Sequence, residues 1–240
     1  MNRIAPIANL DLVAVVMDKL VNRQDGLPGL AVYYGPSGFG KTTATTAVAA
    51  RSRAYYVQMR SSWSRKDLLE KILFEMGIKP VGRTTLLLDQ ISEQLAASRR
   101  PLIIDEFDYA AAKTGMVELV RDIYEGSQSS LLLVGEELLP NKLKKHERFH
   151  GRVLNWLPAA PVSLDDARLL AGIYCPEVTL ADDMLRYLVD LSHGSVRRVS
   201  VNLVNIQDAA LIEGWDTVDR SQWGSRELYT GDAPKRRGIN

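Results

Sequence analysis

The chain has 240 residues, 46% hydrophobic and 25% charged, with a formal net charge of +1. That size and composition suit one large packed domain, or a core with a small appendage, and exclude a polycation, so any nucleic-acid contact needs local basic patches. A single cysteine, Cys175, excludes an intrachain disulfide and reads as a small buried side chain in a reducing, cytoplasmic setting. No run of about 18 apolar residues reads as a membrane span. Met1-Asn2-Arg3-Ile4 opens no secretory leader.

In chain order, Asp11 to Val21 carries Leu12, Val15, Val16 and Leu20 at helical spacing, with Asp11 as its expected cap. Gln24 to Gly29 is a turn-rich break, and Leu30 to Tyr34 a short buried strand. There follows Gly35-Pro36-Ser37-Gly38-Phe39-Gly40-Lys41-Thr42-Thr43, a GxxxxGKT loop, and then an Ala- and Thr-rich helix to Arg51. Strand, glycine loop and helix form the context this nucleotide-binding motif requires. Glycines let backbone N–H groups close around phosphates, at a helix N-terminus whose dipole favours anions. Lys41 can reach the β- and γ-phosphates of ATP, and the Thr42 hydroxyl can sit on Mg²⁺.

A second strand is predicted at Ala54 to Met59. Ser64-Arg65-Lys66-Asp67 opens a helix with a capping box, and Leu68, Leu69, Ile72, Leu73 and Met76 share one face. Another helix is expected over Thr84 to Ser98. Pro101-Leu102-Ile103-Ile104-Asp105-Glu106 is an aliphatic run ending in two carboxylates, the pattern of a buried parallel strand that delivers acids to a ligand edge. Asp105 is expected on Mg²⁺ and Glu106 on the attacking water. Met116 to Glu125 reads as a helix, with strands at Leu131 to Val134 and Val153 to Leu157. Strands spaced by helices predict a parallel three-layer α/β/α domain.

Composition changes at Pro158-Ala159-Ala160-Pro161. Beyond it the pattern reads as wholly helical: Ser163 to Tyr174, Leu180 to Ser192 and Ser195 to Leu211, with Asp182, Asp183 and Asp190 on a solvated face. The last residues, with Lys235, Arg236 and Arg237 among Gly, Asp and Pro, read as a disordered basic tail, either solvated or touching DNA.

A P-loop domain followed by a helical lid, with Gly194-Ser195-Val196-Arg197 opening a late helix, resembles an AAA+ ATPase. The resemblance implies the division 1–25 N-terminal helix and linker, 26–158 nucleotide-binding domain, 159–214 lid and 215–240 C-terminal tail. It also implies that Arg197 serves as sensor 2 and that Arg148, before Phe149, is an arginine finger acting on a neighbouring subunit, with Arg152 in reserve. A guanidinium on a neighbour's γ-phosphate ties hydrolysis to assembly; the plainer reading is a basic surface patch. The wording at residues 33–43, 60–66 and 133–140 is similar to that of transposition ATPases of the Mu B, TnsC and IstB type. That likeness implies an ATP-dependent homo-oligomer, ring or helical filament, on duplex DNA with little sequence preference, which delivers target DNA to a DDE transposase and stimulates it.

Two departures stand out. Glu136 occupies the place where the resemblance implies a polar neutral sensor 1, either facing Glu106 across the site or pointing away. The stretch before the first strand is short for the additional DNA-binding region of the full Mu B protein, so DNA contacts are expected on the AAA+ body. Arg60, Arg65 and Lys66, then Arg83 and Lys113, are the candidates, or else solvated charges. Trp63 reads as a base-stacking platform or as a core aromatic at a helix start. Two other tasks fit the same motifs: helicase loading in replication initiation, and an ATP-switched scaffold with incidental hydrolysis.

Overall fold

A computed structural model describes residues 4–231. Backbone contacts divide the chain into two compact units, one of residues 9–37 and 41–159, the other of residues 1–8, 38–40 and 160–240.

The first unit is built on five strands: β1 (Leu30–Tyr34), β2 (Tyr55–Gln58), β3 (Leu102–Asp105), β4 (Leu131–Gly135) and β5 (Val153–Pro158). All pair in parallel, in the order β2-β3-β4-β1-β5. Period-2 alternation sorts the strand side chains between two faces. Leu30, Val32, Val57, Ile104 and Leu133 point to one face, covered by α3 (Arg65–Glu75), α4 (Thr84–Ser98) and α6 (Met116–Ser127). Ala31, Tyr33, Ile103 and Val134 point to the other, covered by α1 (Ala8–Val21) and α2 (Lys41–Ser52). The three-layer parallel domain is therefore as expected. β4 sits between β1 and β3, so the loops after β1 and β3 flank it at one edge, which is where such sheets place ligands.

Most predicted elements are present, and the capping box at Ser64 and Asp67 is formed. Asp11 is not the cap of α1: the helix starts at Ala8, whose N–H donates to Asp166 Oδ1 at 2.8 Å. A cap supplied from so far along the chain leaves no local signal. The helix expected before β1 is present as α1, with Val13, Met17 and Leu20 buried against the sheet. Three short helices of this unit were not predicted: α5 (Asp108–Ala111), α7 (Leu139–Leu143) and α8 (Glu147–His150).

The second unit holds α9 (Leu164–Tyr174), α10 (Asp182–Ser192), α11 (Val196–Glu213) and α12 (Arg220–Trp223) around its own core. It is not wholly helical. β6 (Thr179–Leu180) pairs in parallel with β7 (Thr217–Val218), which shifts the start of α10 to Asp182. Residues 215–223, expected to lie in a tail, are packed: Val218 and Trp223 are buried. Cys175 is buried too, and burial pushes its thiol up to about 11, as suits an inert apolar filler. Among the described residues no helix is long and apolar enough to cross a membrane. Lys235, Arg236 and Arg237 lie outside the described residues.

Candidate nucleotide site

The loop after β1 runs from Gly35 to Gly40, and α2 begins at Lys41. Gly38 and Gly40 have φ of 84° and 77°, a region that side chains with a Cβ seldom enter. Lys41 donates to the carbonyls of Gly35 and Pro36 at 2.7 and 2.8 Å. Burial pulls its ammonium below the usual lysine value, against the opposing pull of Asp105, Glu106, Glu136 and Asp108. Four carboxylates thus act on this one ammonium. Thr42 and Thr43 are exposed in the first turn of α2.

β3 delivers Asp105, which is 2% exposed. Its Oδ1 accepts from the Glu106 N–H at 2.8 Å, and its Oδ2 accepts from the Tyr56 hydroxyl at 2.7 Å. Burial and the neighbouring Asp105 hold the Tyr56 hydroxyl far above the usual phenol value, so Tyr56 remains a donor. Sequence reasoning missed Tyr56; on a strand that alternates toward both helical layers, nothing distinguished it from a packing aromatic.

Glu106 follows in left-handed backbone, φ 56°, while the Phe107 N–H returns to the Val134 carbonyl at 2.8 Å. That turn aims Glu106 off the strand end at a local conformational cost. Burial raises the Glu106 carboxyl above the ordinary range; Asp105, Glu136 and Asp108 push the same way, and only Lys41 opposes them.

Asp108 is a second residue that sequence reasoning missed, although its place three residues after Asp105 was visible. It is 8% exposed. Its Oδ1 takes the Lys142 ammonium at 2.7 Å, and its Oδ2 takes the Glu136 N–H at 2.5 Å. This pins the backbone of Glu136, whose side chain is exposed. A Cβ on Gly135 would stand 2.3 Å from Asp108 Oδ2, so this approach requires glycine.

Elsewhere the expected residues fare differently. Arg148 is exposed on α8, anchored by the buried Phe149, which stacks on Phe107 at 6.3 Å. Arg152 donates to Glu125 Oε1 at 2.6 Å, which leaves it engaged rather than in reserve. Arg197, in the second unit, is exposed in the first turn of α11, and its N–H donates to the Gly38 carbonyl of the same unit at 3.0 Å. Arg60, Arg65 and Lys66 are exposed, Lys66 lying 3.5 Å from Glu70, and Arg83 is exposed before α4. Arg60 and Trp63 line a groove of about 670 Å³ that also reaches Glu106 and Tyr109, and Trp63 packs partly against the core. Lys113 departs from its expected role: its ammonium is held by the carbonyls of Ser61 and Trp63, bracing this loop from within.

These features define a P-loop nucleotide-binding fold: a glycine loop and lysine after β1, and paired carboxylates after β3, with β4 between them. The AAA domain family model matches residues 24–143, half of the chain, and the protein belongs to that family. Its fold is similar to the ORC2 protein of Aeropyrum pernix in ADPNP–ADP complexes (TM-score 0.65, 18% identity, covering 92% of this chain and 68% of that one). It is also similar to the Aeropyrum pernix ORC1 protein in complex with DNA (0.63, 20%, 90% and 62%) and to Cdc6p from Pyrobaculum aerophilum (0.64, 16%, 90% and 65%). At those identities the likeness is one of fold, and the chain spans only 62% and 65% of the last two proteins. No curated protein is similar enough to the chain to match it.

Proposed function

We propose that the protein is a Mg²⁺-dependent ATPase that assembles on duplex DNA. The observation that carries this reading is the convergence of Lys41 with Asp105 and Glu106 at one sheet edge. The donor set suits ATP and Mg²⁺: a glycine cradle with positive φ, an exposed Thr42 hydroxyl, and one buried carboxylate held by two hydrogen bonds. Among the described residues no cluster of three or more acids, histidines or cysteines could hold a metal alone. That suits an ion bound through one carboxylate and substrate phosphates.

ATP with Mg²⁺ supplies an activated phosphoryl group. Gly35 to Gly40 and Lys41 bind and orient the phosphates. Thr42 and Asp105 hold the metal side, with Tyr56 fixing the Asp105 carboxylate. Glu106 accepts a proton from, or orients, the attacking water. Arg148 is the finger offered to a neighbouring subunit and Arg197 the sensor of the second unit. Arg60, Arg65 and Lys66 are the phosphate-backbone contacts, with Lys113 supporting the loop that carries them.

The wording of the loop and of residues 60–66 and 133–140 supports delivery of target DNA to a DDE transposase. A second reading, helicase loading in replication initiation, draws on the similarity of fold to an ORC1 protein solved in complex with DNA. Transposase stimulation assayed beside helicase loading separates the two. The ATPase itself is tested by Glu106→Gln and Lys41→Ala. The first is expected to bind ATP without releasing phosphate, the second to lose ATP binding. Equal phosphate release by Glu106→Gln and wild type would sink the assignment.

A further inference from the structure

The far end of α2, about 17 Å along the helix from Lys41, opens into a cavity of about 550 Å³ within the first unit. Four arginines line it: Arg51 in the last turn of α2, Arg53 just beyond, and Arg99 and Arg100 just after α4. Asp18 is the sole carboxylate in the lining, and it already accepts from Asn22 Nδ2 at 2.7 Å. Arg100 lies 3.9 Å from the Tyr55 ring centre and donates to the Arg53 carbonyl. Among the described residues Arg51, Arg53 and Arg99 form no ion pair.

Helix dipoles favour cations at helix C-termini, and that accounts for some of this charge. Arg53 and Arg99 have φ of 55° and 54°, the left-handed conformation in which a helix commonly ends, as also at Gln128 and His193. The floor is apolar: Met17 and Val48 underlie it, and Val21 is 45% exposed beside it.

We propose that this cavity docks an acidic segment of a partner protein, whose carboxylates pair with Arg51, Arg53 and Arg99 while an apolar side chain seats on Met17, Val21 and Val48. The charge balance, four guanidiniums against one engaged carboxylate, calls for an anion. Guanidinium matches carboxylate in a two-pronged fork. The apolar floor favours a peptide over a nucleic-acid backbone, whose phosphates and sugars gain nothing from Met17 and Val48.

The test uses the full chain and a fluorescent peptide alternating Glu-Glu-Leu, beside three controls: its Gln-Gln-Leu counterpart, an all-Glu peptide and a duplex oligonucleotide. The Glu-Glu-Leu peptide is expected to bind about tenfold more tightly than either peptide control, a difference of about 1.4 kcal/mol. Arg51→Glu with Arg99→Glu should lose that binding while ATP binding at Lys41 and the melting temperature stay as in wild type. Should the pair unfold the protein, Val21→Glu serves in its place, since it puts a charge on an exposed floor residue. Equal peptide binding by variant and wild type overturns the proposal, as does peptide affinity weaker than about 1 mM for wild type. Duplex binding that exceeds peptide binding and falls in the same variant overturns it in favour of nucleic acid.

Discussion

Replacing Tyr56 by Phe removes one oxygen atom and tests how Asp105 is held. The hydroxyl donates to Asp105 Oδ2 at 2.7 Å, and Asp105 is 2% exposed, so water cannot readily substitute for it. A hydrogen bond to a charged group contributes about 1.5–3 kcal/mol. For a chain of this size each kcal/mol lowers the melting temperature by about 2–4 °C, so the variant should melt about 3–12 °C lower. The second consequence concerns the metal. Removing a partner that orients a ligating carboxylate typically weakens metal binding by about 10–100-fold. ATP turnover titrated with Mg²⁺ should therefore need that much more metal for half-saturation, while turnover at saturating Mg²⁺ stays within a few-fold of wild type. A purely structural Tyr56 would move the melting temperature alone. Unchanged Mg²⁺ half-saturation together with unchanged melting would refute the reasoning.

Gly135→Ala places a methyl 2.3 Å from Asp108 Oδ2 and 2.5 Å from a Leu139 methyl, so it should destabilise the fold by about 1–3 kcal/mol; a wild-type unfolding curve in urea would argue against so tight an approach. Arg148→Ala should bind ATP yet hydrolyse it poorly, and mixing it with Lys41→Ala should restore part of the activity, because each supplies what the other lacks at a shared interface. If the two proteins co-assemble without rescue, Arg148 does not act on a neighbour. Replacing Arg65 and Lys66 together by Ala should weaken duplex binding alike on all sequences and flatten the salt slope by about one unit per lost contact. An unchanged slope moves the DNA contact away from this loop.

Legibility followed the range of the interactions. The central strands β3 and β4 were legible because a buried parallel strand needs an uninterrupted aliphatic run, as in Leu102 to Ile104 and Leu131 to Val134. The start of α3 was legible because its cap is made within four residues. The start of α1 was not, because Asp166 makes that cap from 158 residues further along the chain. The pairing of β6 with β7 rests on two residues from each strand, too few to show a period. Within the site, the glycine loop and the two carboxylates are contiguous words in the sequence. Tyr56 and Lys142 act across strands and loops, on Asp105 and Asp108, so only the fold brings them into view.

The same contrast explains why Glu106 is set where it is. Three unfavourable circumstances meet at this one side chain: a left-handed backbone, burial, and three neighbouring carboxylates against one lysine. Burial and the neighbouring carboxylates disfavour its ionised form, while the backbone cost is present in either form. Because its folded value is raised, the stability linked to its proton is present below the ordinary carboxylate range and is lost as pH rises through the raised value. Above that raised value the fold holds this charge at a cost. A packing role would be met by an apolar side chain at that turn without such a cost. A proton acceptor beside a bound phosphate needs what Glu106 has: a basicity lifted above that of a free carboxylate and a position fixed off the strand end. Asp105, one residue earlier, has a different setting, buried on the strand with its two oxygens taken by the Glu106 N–H and the Tyr56 hydroxyl. Two adjacent carboxylates in such different surroundings fit two different tasks, metal holding and proton transfer.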